Sequence, residues 1–62
     1  MTFGEYVRKL RKESKLSQRD LAEKSGISNA EISRIESGER KNPAPAILKA
    51  IAPHIGVTYE EL

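Results

Sequence analysis

The apolar positions of this chain fall into short helical stripes separated by polar stops. From Phe3 to Leu10 the side chains Phe3, Tyr6, Val7 and Leu10 recur at i, i+3, i+4 and i+7, which predicts a first helix starting almost at the N-terminus. The run Leu16-Ser17-Gln18-Arg19-Asp20-Leu21 then reads as a helix start. The Ser17 hydroxyl is placed to accept from the Asp20 amide, and Leu16 and Leu21 take the two positions of a hydrophobic staple. A second helix is expected from Gln18 to about Ser25. Gly26 closes it, where a residue of positive φ ends a helix at least cost.

The same start signal returns at Ile27-Ser28-Asn29-Ala30-Glu31-Ile32, with Ser28 and Glu31 as a reciprocal capping box and Ile27 stapled to Ile32. A third helix is expected from Asn29 to about Ser37. Only Gly26, Ile27 and Ser28 separate helices 2 and 3, and two short helices about such a turn define a helix-turn-helix. After a polar loop from Gly38 to Pro43, Pro45 suits the first turn of helix 4, and Ile47, Leu48, Ile51 and Ile55 mark its inward face. Pro53 predicts a kink or an end near Ala52. Beyond Gly56, Thr58-Tyr59-Glu60-Glu61 matches a capping box and opens a fifth helix that the chain cuts off at Leu62. The fold class is therefore all-α, in one domain over residues 1–62.

Helix 3 carries the most suggestive chemistry. On a wheel at about 100° per residue, Ile32 and Ile35 define the buried side, while Asn29, Ala30, Ser33, Arg34 and Ser37 face away together. Small and polar groups capped by one arginine suit the edges of bases: Asn bridges adenine, Arg bridges guanine, and Ala touches a thymine methyl. Gln18 and Arg19 open helix 2, where free N–H groups and the positive end of the helix dipole suit a phosphate. Arg40, Lys41 and Asn42 form a second candidate phosphate clamp at the far end of helix 3. Glu31 and Glu36 flank the buried side, Glu31 engaged by its cap and Glu36 placed to pair with Arg11 across helices 1 and 3. Each of these features, taken singly, also fits an ordinary solvated face.

Charge adds little. Eleven Lys and Arg against nine Asp and Glu leave a formal charge of +2, a weak pointer to an anionic partner. Phe3, Tyr6 and Tyr59 are too few aromatics for the stacking platforms of a single-strand site. There is no cysteine, and His54 stands alone, so no disulfide, metal set or cofactor is expected. No nucleophile–base pair or phosphate-cradling glycine loop supports an enzyme. Without a stretch of apolar residues long enough for a membrane span or a signal peptide, the expectation is a soluble, cytoplasmic chain without membrane contact.

The combination of Leu16 to Ser28 with Ile32, Ile35-Glu36-Ser37-Gly38 and Pro43, preceded by Arg11 and followed by Ile55-Gly56-Val57-Thr58, resembles the Cro/C1-type (Xre) helix-turn-helix family of phage and bacterial repressors. The resemblance covers nearly the whole chain. It implies a five-helix, lambda repressor-like domain whose third helix enters the major groove, generally as a dimer on a two-fold site. By position, Gln18 resembles the family's phosphate-binding glutamine, with Ser17 and Arg19 beside it, and Asn29, Ala30 and Arg34 match the base-reading positions. Ser28 and Ser33 adjoin them as phosphate or base contacts, and Ser37 with Arg40, Lys41 and Asn42 resembles the second backbone clamp. Two departures stand out, Lys15 in a turn where the family often has Gly and Pro53 in helix 4, and with no basic extension ahead of helix 1 in this sequence an additional DNA-embracing arm is not expected.

These readings imply a DNA-binding transcriptional regulator, of repressor type, acting on duplex DNA as a homodimer. The alternative is a partner-docking module of the same fold, such as an antitoxin. One reading helix offers too few base contacts to select a site from a genome, so two copies are expected. Ile55, Val57, Tyr59 and Leu62 are the candidate pairing surface, which would set the two reading helices about 34 to 36 Å apart.

Overall fold

The computed structural model describes residues 1–62 as four α-helices followed by two 3₁₀ turns, with no strand. Helix α1 spans Phe3–Glu13, α2 Gln18–Ser25, α3 Asn29–Ser37 and α4 Pro45–Ile51. Local capping explains most of these limits. Thr2 accepts from the Glu5 amide at 3.1 Å while the Glu5 carboxylate accepts from the Thr2 amide at 2.8 Å. Ser17 and Asp20 do the same for α2, at 2.9 and 3.0 Å. The backbone hydrogen bond each carboxylate accepts at its cap holds Glu5 and Asp20 below their ordinary pKa values. The caps are therefore intact at neutral pH and weaken as pH falls through and below the carboxylate range.

At α3 the expected reciprocal box is half made. Ser28 accepts from the Glu31 amide at 3.1 Å, but the Glu31 carboxylate does not return to the cap. It pairs instead with Arg40, 2.9 Å away, because the loop after α3 brings a full positive charge within its reach. An ionic hydrogen bond outcompetes a neutral amide for the carboxylate.

The exit from α1 has its own shape. The Leu16 amide donates to the Arg11 carbonyl and the Lys15 amide to the Lys12 carbonyl, at 3.2 and 2.9 Å. This is the double bond pattern of a Schellman ending, and it puts Lys15 at φ 60°, left-handed despite its β-carbon. Leu10 and Leu16, which flank the turn, both pack against the core.

The C-terminal third departs from a five-helix plan. Helix α4 ends at Ile51, and Ala52–Ile55 continue as a 3₁₀ turn. Pro53 has no N–H to extend the α-type ladder but is tolerated in the first turn of a new element. Tyr59–Glu61 is likewise a single 3₁₀ turn, in which the Leu62 amide bonds to the Tyr59 carbonyl at 3.0 Å. The Thr58 amide and hydroxyl both donate to one oxygen of Glu61, at 3.0 and 3.1 Å, and fix the entry to that turn.

The core is one cluster of Val7, Leu21, Ile32, Ile35, Ile51 and Ile55, each at most 2% exposed. Burial of such a side chain contributes about 1.5 to 3 kcal/mol. Helix α1 lies across α3 so closely that a β-carbon on Gly4 would stand 2.4 Å from the Ile35 carbonyl oxygen and 2.7 Å from that of Glu36. Only glycine permits that crossing, and the crossing brings Arg11 over Glu36.

Lys15 supplies a stability test. Lys15→Gly removes the left-handed strain, which costs an L-residue roughly 1 to 2 kcal/mol, against the added freedom of glycine in the unfolded chain, roughly 0.5 to 1 kcal/mol. A net gain of about 0.5 kcal/mol or more and a higher thermal midpoint are expected. A lower midpoint by calorimetry would contradict the strained-turn account.

Candidate nucleic-acid interface

The interface begins with a buried ion pair. The Arg11 guanidinium donates to both oxygens of Glu36, from Nε at 2.7 Å and from Nη2 at 3.0 Å, and the two side chains are only 8% and 4% exposed. Its remaining nitrogen, Nη1, donates to the Leu16 carbonyl at 2.8 Å, tying the pair to the turn ahead of α2. Gln18 completes the group: its Nε2 donates to Glu36 Oε1 at 3.1 Å. An ionised carboxylate only accepts hydrogen bonds, so this contact turns the amide –NH2, not the oxygen, toward Glu36. The second N–H of that –NH2 is left over.

These side chains line an open polar cleft where α1, α2 and α3 meet, with Arg8, Ser33 and Ser37 completing its wall and no hydrophobic side chain in it. The cleft thus gathers Gln18, Ser33 and Ser37 from the sequence-derived set. Asn29, Ala30, Ser33 and Arg34 are all exposed on α3, as are Ser17, Arg19, Ser28 and Ser37. Several are already engaged. The Ser17 and Ser28 hydroxyls serve the helix caps, and the Ser37 hydroxyl donates to the Arg34 carbonyl at 3.1 Å. Arg19 stands 3.5 Å from Glu23 in a highly exposed pair.

Arg34 sits 3.7 Å from Glu39, with both side chains at least half exposed. Such a pair is worth about 0 to 1 kcal/mol, less than the roughly 1 to 3 kcal/mol of a bidentate contact to guanine. Arg34 is therefore free to leave Glu39 for a base. Arg40 is differently placed: its pair with Glu31, whose side chain is only 13% exposed, holds it against the flank of α3. Arg40 and Lys41 border a separate hollow with Thr2, Phe3, Gly4, Ile35 and Gly38, which shares no residue with the cleft. Lys41 and Asn42 also border a third hollow beside Pro43, Leu48 and Leu62. The loop and the cleft are two places on the surface.

One expectation for the pairing surface fails outright. Ile55 is 2% exposed and belongs to the core, because the 3₁₀ turn after α4 keeps it on the inward face that its spacing with Ile47, Leu48 and Ile51 had marked. Val57 and Leu62 pack partly against the same core, and Tyr59 is half-buried with Lys49 Nζ 5.2 Å from its ring centre. Among large hydrophobic residues only Met1 is exposed. Sequence reading also missed Arg8, although the signal was present: it lies three residues before Arg11, on the same side of helix 1.

A family model described as helix-turn-helix matches residues 7–62. The chain belongs to the Cro/C1-type helix-turn-helix family. It is 49% identical over 61 residues to the HTH-type transcriptional repressor RghR of Bacillus subtilis (strain 168), covering 98% of this chain and 45% of that protein. It is 40% identical over 57 residues to the immunity repressor protein of Bacillus phage phi105, covering 92% of this chain and 39% of that protein. Among solved structures it matches the SinR protein/SinI protein complex with a TM-score of 0.90 at 28% identity, covering 97% of this chain and 58% of that one. This helix-turn-helix chain spans less than half the length of these two curated relatives. No helix is long and apolar enough to cross a membrane.

The buried pair gives the next expectation. Arg11→Met strands the Glu36 charge in the interior and is expected to cost about 3 to 5 kcal/mol, whereas Arg11→Met combined with Glu36→Leu is expected to be close to neutral. Urea unfolding at neutral pH measures both. A single-variant loss below about 1 kcal/mol would mean that the pair does not hold α1 to α3.

Proposed function

We propose that this chain binds double-stranded DNA sequence-specifically, as the DNA-contacting part of a transcriptional regulator of repressor type. Helix α3 enters the major groove, with Asn29, Ala30, Ser33 and Arg34 toward the base edges. Gln18 and its neighbours Ser17 and Arg19 meet the backbone at the start of α2; Ser28 and Ser37 meet it beside α3, and Arg40, Lys41 and Asn42 at the following loop. The observation that carries this reading is the position of the exposed face of α3 beside a polar cleft whose lining holds two guanidinium groups against one carboxylate. Relatives named as repressors support the regulatory role.

Two copies act on a two-fold site, since one α3 supplies too few base contacts for genomic selectivity. Val57, Tyr59 and Leu62 are left as a small pairing surface at the C-terminal end, with Ile55 withdrawn into the core. A partner-docking role is the second reading, drawn from the solved relative, whose structure is a complex of two proteins.

Selection of bound sequences from a random duplex pool tests the proposal, and an enriched palindrome is expected. With that site in hand, Arg34→Ala is expected to erase preference at one base pair per half-site, at a cost of about 1 to 3 kcal/mol. Gln18→Ala is expected to weaken every sequence alike. Equal loss on all sequences from Arg34→Ala would make Arg34 a backbone contact and overturn the orientation of α3. Failure to enrich any duplex would favour the docking role.

A further inference from the structure

We propose that Glu39 is a specificity-determining residue, an internal competitor for Arg34 that a guanine has to displace. The proposal rests on the DNA-binding reading of α3 and adds to it a residue that touches no base.

Arg34 is the one charged side chain in the exposed set Asn29, Ala30, Ser33 and Arg34. Of the glutamates on α3 and the residues just after it, two are committed elsewhere. Glu36 is buried against Arg11, and Glu31 is mostly buried against Arg40. Glu39 is different: its Oε2 stands 3.7 Å from Arg34 Nε, and its side chain is 70% exposed. It is the only acid paired with a member of that set.

The backbone puts it there. Gly38 closes α3 in the left-handed region at φ 87°, with its amide on the Ile35 carbonyl at 3.2 Å. The Arg40 amide then donates back to the Arg34 carbonyl at 3.0 Å, and the Glu39 amide donates to the Ser37 hydroxyl at 3.3 Å. Arg40 is anchored a second time by its side chain, 2.9 Å from Glu31. Glu39 is thus held at the end of the helix that carries Arg34, and only the two side chains have to be ordered to pair.

A guanidinium that bridges guanine O6 and N7 gives up this carboxylate, so the complex loses what the pair contributed in the free protein. On a duplex without that guanine Arg34 stays with Glu39, and nothing is lost. Glu39 therefore reduces the margin by which guanine is preferred. An exposed ion pair changes an equilibrium constant by about 1.4- to fivefold. A bidentate contact to guanine changes it by about five- to 150-fold, so guanine still wins.

The test measures the wild type and Glu39→Gln on two duplexes, and repeats both in the Arg34→Ala background. One duplex is the selected site; the other has the guanine pair to which Arg34→Ala becomes indifferent replaced by A·T. Glu39→Gln is expected to tighten the guanine duplex more than the A·T duplex, by about 1.4- to fivefold per copy. That difference is expected to vanish in the Arg34→Ala background, and the thermal midpoint of Glu39→Gln to match the wild type. Relief of repulsion between Glu39 and the phosphates tightens both duplexes alike and cancels in the comparison. A smaller difference overturns the competitor and leaves Arg34 as a reader of guanine. A difference that persists in the Arg34→Ala background overturns it too, because Glu39 then acts on the base directly. Selective weakening of the guanine duplex makes Glu39 a support for Arg34 and overturns it in the opposite sense. If Arg34→Ala leaves every base preference of the wild type in place, the reading of Arg34 fails and the competitor falls with it.

Discussion

Everything at the proposed binding face depends on the Arg11–Glu36 pair and on the close crossing that makes it possible. Helices α1 and α3 are separated in sequence by the whole of α2, yet the pair closes at 2.7 Å. It closes because Gly4 lets the α1 backbone approach the Ile35 and Glu36 carbonyls directly. The same guanidinium holds the Leu16 carbonyl and the same carboxylate holds Gln18, so one bridge fixes α1, the turn into α2 and the first residue of α2. Desolvating two charges is costly, and such a bridge contributes little net stability compared with a well-packed apolar pair. Its value lies in geometry, since no apolar substitute orients the Gln18 amide.

Around that bridge, charge is distributed by what each carboxylate can reach. Glu36 is spent on Arg11, Glu31 on Arg40, and Glu39 stands loosely against Arg34. The three pairs differ in burial, and burial decides their meaning. The first is structural. The second draws the loop arginine against α3, and the third is weak enough to yield to a base. A net charge of only +2 therefore says little about the local field, because four of the nine acids lie against arginines while Arg8 is left free at the cleft.

The sequence was most legible where structure is set by residues within four positions of one another. The limits of α2 and α3 follow from Ser17, Ser28, Gly26 and Gly38, whose caps and left-handed turns act locally. The outward face of α3 followed from its helical period, and all of its expected members are exposed. Legibility failed where a distant partner intervened. Glu31 left its cap because Arg40 approached from beyond Gly38, and Gln18 met Glu36 only through the α2–α3 packing. Gly4 gave no signal in the sequence because its constraint comes from α3. Pro53 announced the end of α4 and the apolar spacing put Ile55 on the inward side, but neither showed that the chain would continue as a 3₁₀ turn.

The central claim is that α1, α2 and α3 together present the face that meets DNA, with the C-terminal turns set apart from it. Titration of a duplex into isotopically labelled protein, followed by backbone and side-chain amide shifts, tests this most directly. The account predicts the largest changes at Arg8, Gln18, Asn29, Ser33, Arg34 and Ser37, including the Gln18 side-chain amide, with α4 little affected. Changes centred on α4 and on Val57 to Leu62, with the Gln18 amide unmoved, would contradict it.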